Sequence, residues 1–442
     1  MDRMDTLFSN ILVVTMDDSQ PVLKNAYVGV KAGKICYVST QKPSESADTV
    51  IDGQNRLLMP GLTNTHTHLA MTILRGYADD YTLQDWLFKK VFPVEANFTP
   101  RTAKAGALLA CSEMLRMGVT SLTCMDPFVP AIAEACFEAG INANIGNGYL
   151  CMDRDQYCYE TDGVTAQNAE MLERWHMADN GRIRLDASIH AEYTSFDRVW
   201  RDAARFAQEH GLNMHVHLSE TEKEHRECLE RYGKTPAAAL DEQGVFGTRA
   251  TVAHAVWVSD DDIELLAARG AVVAHNPASN LKLGSGVAPV AQMRSKGLRV
   301  ALGTDSVCSN NNLDIFGEMR LSLLLQKGLT RNPACAPAIE AVRSATLDGA
   351  FAQGRESECG MVREGMWADL IMLQLNQPHL YPVHDPYSLL CYSADGRDVC
   401  LTMVRGKVLY RDGVCTTIDW ERLRAELDEF VMPHVFGAYF GA

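Results

Sequence analysis

The chain has 442 residues and no apolar run near the ~18 residues of a membrane span, so no transmembrane segment is expected. Its 13 cysteines are odd in number and scattered, with no Cys-x-x-Cys pair. That spacing argues against a disulfide framework and for reduced, mostly buried thiols. No basic run occurs, and the net charge is −15, so no nucleic-acid partner is expected. The opening Met1-Asp2-Arg3-Met4-Asp5 lacks a basic segment followed by an apolar core. No secretory signal is expected there, and the reading is a cytoplasmic protein. Low-complexity linkers and internal repeats are also missing.

What is present suits a large enzyme. With 47% hydrophobic and 22% charged residues, the chain can bury a sizeable core. Residues 1–58 read as short strands and turns, among them Ile11–Thr15, Ala26–Val30 and Lys34–Val38. Between 59 and 360, apolar runs alternate with helical segments such as Thr102–Met117, Val129–Ala139, Asp197–His210 and Asp260–Arg269. Alternating strand and helix predicts a parallel sheet. From 361 to 442 the strand pattern returns at Ala368–Leu373, Val399–Val404 and Lys407–Tyr410, followed by a helix from Trp420 to Phe430. The simplest assembly pairs these strands with the N-terminal ones.

The chemistry sits at the ends of the strand-like runs. His66-Thr67-His68 closes Leu57–Thr65, and residues two apart on a strand face the same way. The other groups are His215-Val216-His217-Leu218-Ser219-Glu220, then Ala253-His254, then Leu298–Asp305. His66, His68, His217 and Asp305 would form a nitrogen-rich site with one carboxylate, which suits zinc and leaves a position for water. Glu220, three residues after a ligand, could then carry a proton. Because candidate ligands lie at the C-terminal ends of strands, a (β/α)₈ barrel is favoured over an open sheet.

Assembled, these groups resemble the amidohydrolase superfamily, and within it the 5-methylthioadenosine/S-adenosylhomocysteine deaminases. The most specific stretches are Pro60–His68, His217–Thr221, His275–Gly284 and Gly303–Arg320. The resemblance implies an α/β fold, a distorted (β/α)₈ TIM barrel with a small β-sandwich domain formed by both termini. It implies one divalent metal per subunit, zinc first and Fe²⁺ second, on His66, His68, His217 and Asp305. The family pattern places the ligand three before the Glu, which selects His217 over His215 and leaves His215 a packing or supporting residue. Glu220 matches the proton shuttle, His254 the histidine that assists the attacking water, and Asp305 a proton acceptor. Trp86 and Glu95 match the loop after the first strand, where the family's Glu bonds the ribose hydroxyls. His190 and Ser309 match further substrate contacts. A small-molecule substrate and a homo-oligomer are also implied.

The expected reaction is hydrolytic deamination of an adenine nucleoside to the inosine-type product and ammonia. The alternatives are deamination or dechlorination of a triazine, guanine or pterin, and a noncatalytic barrel protein. One departure bears on the substrate. Asn147 stands where members that accept S-adenosylhomocysteine carry the first of two arginines for its carboxylate, and Arg154 is the only nearby candidate for the second.

Overall fold

The computed structural model describes residues 3–437; the first two residues of the N-terminal segment and residues 438–442 of the C-terminal one lie outside it. The helices form where capping and apolar spacing dictate. Pro100–Arg116 opens with a Thr99/Thr102 capping box and Pro at its first position. Asp197–His210 buries Val199, Trp200, Ala203, Phe206 and Ala207 on one face and stops at Gly211, whose φ of 63° favours glycine. Val129–Ala139 and Asp260–Ala268 also lie where periodicity put them. The C-terminal helix begins at Trp420 as expected but continues to Phe436 through a π-helical turn, Leu427–Val431. Among the described residues no helix is long and apolar enough to cross a membrane.

Ten strands build two parallel sheets, giving an α/β fold. One holds Leu62–Thr67, Val119–Met125, Asn142–Gly146 and Ile183–Leu185. The other holds Gly148–Tyr149, Ala187–Ala191, Met214–Leu218, Ala250–His254, Val272–His275 and Arg299–Leu302. Every residue of Leu62–Thr67, Val119–Met125 and Met214–Leu218 is buried, as expected of parallel strands covered on both faces. Hydrogen bonds link the sheets where Leu62–Thr67 meets Arg299–Leu302. Thr65 Oγ1 donates to Leu302 O at 2.7 Å, and Asp305 N–H to His66 O at 2.9 Å. On the opposite side the chain itself crosses: Asn142–Gly146 runs into Gly148–Tyr149, and Ile183–Leu185 into Ala187–Ala191.

Strands from the two ends of the chain share a third, nine-stranded sheet. Arg56–Pro60 lies between Met4–Val14 and Leu370–Gln374, in antiparallel register with the latter, Leu370 opposite Pro60. Ala47–Asp52, a strand with mostly exposed side chains, pairs with Met4–Val14 and carries no apolar signal in sequence. Gly61 separates this sheet from the parallel strand that leads to His66. A Cβ there would lie 2.0 Å from Thr120 Oγ1, so only glycine permits the close passage.

Gly106 makes a similar approach inside the helix Pro100–Arg116, facing the turn that follows His68. A Cβ would sit 2.5 Å from Ala70 O, a backbone atom. Alanine is the better helix former by about 1 kcal/mol, but forced overpacking costs about 1–3 kcal/mol. Gly106→Ala is therefore expected to lower the thermal midpoint by a few degrees. A raised midpoint by calorimetry would mean that the contact yields freely.

Candidate active site

Side chains at the C-terminal ends of several parallel strands converge. The candidate ligand atoms of His66, His68 and Asp305 lie within 4.8 Å of one another, as do those of His66, His217 and His254. Asp305 Oδ1 is 3.5 Å from His66 Nε2 and 3.3 Å from His68 Nε2. His217 Nε2 lies 3.3 Å from His68 Nε2. The outer ring nitrogens are already engaged: His68 Nδ1 with Met125 O at 2.5 Å and His217 Nδ1 with His190 O at 2.5 Å. A carbonyl only accepts, so each Nδ1 carries the proton and each Nε2 is turned to the centre. His66 Nδ1 shares a hydrogen with His215 Nε2 at 3.0 Å. His215 thus touches a candidate ligand from behind.

The charge chemistry of this donor set favours a cation. Burial alone would raise the Asp305 carboxyl, yet the His66 and His68 rings beside it hold it well below its usual range. Burial lowers His66 to about 4 and takes His217 well below its ordinary value, so both rings are neutral. His68 is the exception: burial lowers it, but the Asp305 hydrogen bond and charge bring it up to about 9. The pocket therefore draws one positive charge to its centre. His66 Nε2 is buried there with no hydrogen-bond partner, an arrangement costing about 1–3 kcal/mol unless something coordinates it. Three imidazoles and one carboxylate fit a divalent metal.

Glu220 follows Leu218 at the next strand end. Its Oε1 accepts from Ser285 Oγ at 3.0 Å and its Oε2 lies 3.7 Å from His254 Nε2. Burial pushes its carboxyl up. His254 is held on its other side by Asn280 Oδ1, 2.8 Å from Nδ1. Three non-glycine residues of this cluster have left-handed backbone: Ser219 at φ 46°, His254 at 72° and Asp305 at 59°. Such conformations cost about 1–3 kcal/mol each and gather where surrounding structure enforces them.

These groups floor a cavity of about 230 Å³, lined by His68, His217, Glu220, His254 and Asp305. The segment Leu83–Glu95 forms one wall, with Leu83, Trp86, Leu87, Val91, Phe92 and Glu95 facing in. A π-helical turn over Trp86–Val91 sets their angle. Glu95 is half-buried, and burial pushes its carboxyl up to about 7. Asn147 and His190 line the opposite side. His190 is fixed by Thr194 Oγ1, 2.9 Å from Nδ1. Ser309 is absent from the lining; its Oγ is 3.0 Å from Asp305 Oδ2. Arg154 is also elsewhere, paired with Asp197 at 2.8 Å on the exposed surface.

Several residues of the site were not singled out from sequence. Asp126 lines the cavity and accepts from the backbone N–H of Leu69 at 2.8 Å and Ala70 at 3.0 Å, fixing the turn after His68. Glu224 does the same for the loop that carries Glu220, accepting from Ser219 N–H at 2.8 Å and Glu220 N–H at 2.7 Å. Burial pushes the Glu224 carboxyl up to about 8. Ser279 Oγ lies 2.6 Å from Asp305 Oδ2. Glu224 left one readable signal, its place in the first turn of a helix after Thr221, which caps it.

The family model of the amidohydrolase family matches residues 57–409. The chain belongs to this family. This amidohydrolase is 41% identical over 422 residues to a 5'-deoxyadenosine deaminase of Methanosarcina mazei, covering 96% of each chain. It is 40% identical over 420 residues to a 5-methylthioadenosine/S-adenosylhomocysteine deaminase of Dictyoglomus thermophilum, covering 95% of this chain and 96% of the relative. Among solved structures it is similar to an adenosine deaminase from Xanthomonas campestris with bound zinc. That match has a TM-score of 0.90 at 30% identity and covers 97% of this amidohydrolase and 98% of the other chain.

A cation bound to the folded site alone would stabilise the fold by mass action. Stripping the protein with a strong chelator is expected to lower its thermal midpoint by several degrees, and one equivalent of zinc to restore it. An unchanged midpoint, with metal analysis showing complete removal, would count against a cation at these residues.

Proposed function

We propose that the chain is a zinc-dependent aminohydrolase of adenine nucleosides with a neutral 5' substituent, producing the inosine-type nucleoside and ammonia. The observation that carries this reading is one cavity whose floor joins the His66/His68/His217/Asp305 cluster to Glu220 and His254, with Glu95 on its wall. Relatives of 40–41% identity over 95–96% of the chain, named 5'-deoxyadenosine deaminase and 5-methylthioadenosine/S-adenosylhomocysteine deaminase, support an adenine-nucleoside deaminase. His66, His68, His217 and Asp305 would hold the ion. Zinc suits the donors, with Fe²⁺ as the alternative. When bound, the metal supplies Lewis acidity, which makes hydroxide available near neutral pH.

The protein's own groups do the rest. The adenine enters with its amine-bearing edge toward Glu220 and His254. Glu220, whose carboxyl burial pushes up, gives its proton to the ring nitrogen beside C6 and makes that carbon electrophilic. His254 Nε2, across from Glu220, accepts a hydrogen bond from the attacking oxygen and aims it at C6. Asp305 takes the first proton released by that oxygen and passes it to the departing amine, and the oxygen's second proton returns to Glu220 as the C6 carbonyl forms. A C–O bond forms and the C–N bond breaks; one water is consumed and one ammonia leaves. Glu95 accepts from the ribose hydroxyls, while Trp86, Leu87 and Phe92 cover the apolar faces of the nucleoside. Asn147 and His190 bound the other side, and Ser309 steadies Asp305.

The lining contains the acids Glu95, Asp126, Glu220 and Asp305 and neither Lys nor Arg. An added carboxylate on the 5' tail would find no Lys or Arg on this lining to pair with, and Arg154 is spent on Asp197.

The same reading takes the two parallel sheets as one distorted (β/α)₈ barrel spanning 59–360, with the site at its C-terminal mouth. Counting the two chain crossings as broken strands reduces ten strands to eight. The terminal segments, 1–58 and 361–442, form the small β-sandwich. A cytoplasmic location is consistent with 13 cysteines that are all unpaired.

Glu220→Gln is expected to cut kcat by about 100-fold or more while zinc stays bound; activity within a few-fold of wild type would remove the proton-shuttle role. Glu95→Ala should raise KM for nucleosides well above its effect on free adenine, and equal effects would undo the ribose contact. In an ammonia-release panel, 5'-deoxyadenosine and methylthioadenosine should exceed S-adenosylhomocysteine by about tenfold or more in kcat/KM. Turnover confined to triazines, guanine or pterins would keep the mechanism and discard the nucleoside.

A further inference from the structure

The segment Pro277–Gly286 has one residue on the cavity, Leu283, yet its side chains reach three catalytic groups. Ser279 Oγ contacts Asp305 Oδ2 at 2.6 Å, Asn280 Oδ1 contacts His254 Nδ1 at 2.8 Å, and Ser285 Oγ donates to Glu220 Oε1 at 3.0 Å. The segment is itself tied down, Ser285 N–H donating to Asn280 O and Trp257 Nε1–H to Ser285 O.

We infer that Asn280 is a positioning residue that sets the tautomer of His254. The Asn280 side chain is 1% exposed, and its Nδ2 has no hydrogen-bond partner. An amide with the opposite orientation would aim an N–H₂ at the ring; as oriented, its oxygen accepts, so the proton of His254 resides on Nδ1. Nε2 is then the lone-pair nitrogen, and it is the one that faces Glu220 Oε2 at 3.7 Å and the cavity. Without Asn280 the ring is free to carry its proton on Nε2, where it would donate to Glu220 and no longer accept from an attacking oxygen. Catalytic rings are commonly held this way, and losing the orienting partner costs 10–100-fold or more.

This inference rests on the role given to His254 above, so the test reads both turnover and the tautomer itself. The variants are Asn280→Asp and Asn280→Leu in the zinc-loaded full chain. Asp keeps an oxygen for Nδ1–H, and because Nδ2 bonds nothing, it deletes no other hydrogen bond. Leu keeps the branched heavy-atom outline, though bulkier, and removes the acceptor. A packing role would favour Leu, since Asp buries an extra charge. Tautomer control predicts the reverse order: kcat down by about tenfold at most in Asn280→Asp and by about 100-fold in Asn280→Leu. KM and zinc content should stay near wild type in both. Nitrogen-15 NMR of histidine-labelled protein should show His254 protonated on Nδ1 in wild type and Asn280→Asp, and on Nε2 in Asn280→Leu. If Asn280→Leu does not fold, Asn280→Ser, too short to reach the ring, replaces it with the same expectation. Equal or better turnover in the Leu variant, or an unchanged tautomer, overturns the inference. Wild-type protein that deaminates nothing while the tautomer still follows residue 280 sinks the proposed function instead.

Discussion

The site depends on Asp305 and its burial beside histidines. A carboxylate in that position, 6% exposed, cannot remain charged without partners, and the partners are at hand. His66 and His68 face one oxygen; Ser279 and Ser309 face the other. Its backbone N–H also bonds His66 O, so the carboxylate is tied to the strand that carries His66 and leads into His68. That single seam joins the edges of the two parallel sheets. Fold and chemistry share it, and neither can shift without the other.

Around this centre the protein holds its reactive side chains by their rear atoms. Met125 O and His190 O take the outer nitrogens of His68 and His217, while Asp126 and Glu224 take pairs of backbone amides. Both acids act here through backbone amides. They fix loops whose backbone is otherwise unfavourable, as at Ser219. The inner atoms remain free to meet a cation and a substrate.

The strand-end histidines and Asp305 were legible because two-residue spacing and terminal position are written in the local sequence. Helix limits were legible for the same reason at Asp197–His210, which stops at Gly211, whereas the helix expected from Thr102 begins two residues earlier at Pro100. Asp126, Glu224 and Asn280 were not, since each acts through a partner whose proximity only the folded chain creates. Ser309 sits near the cavity in sequence terms, yet its hydroxyl turns to Asp305. Arg154 was offered as a carboxylate partner from proximity along the chain, and it is drawn to Asp197 instead. The Ala47–Asp52 strand escaped notice because its side chains are mostly exposed, and its pairing is through backbone.

The interleaved terminal sheet also governs how the chain is made. Arg56–Pro60 has its partner at Leu370–Gln374, roughly 310 residues later. At ribosomal speeds of about 5–20 residues per second, that partner follows on the order of tens of seconds behind. Throughout that interval one edge of an apolar strand has no neighbour, next to the residues that lead to His66. Such an edge invites pairing with other chains. A strand made late therefore seals one made early, and the interval between them is when that edge is open to other chains.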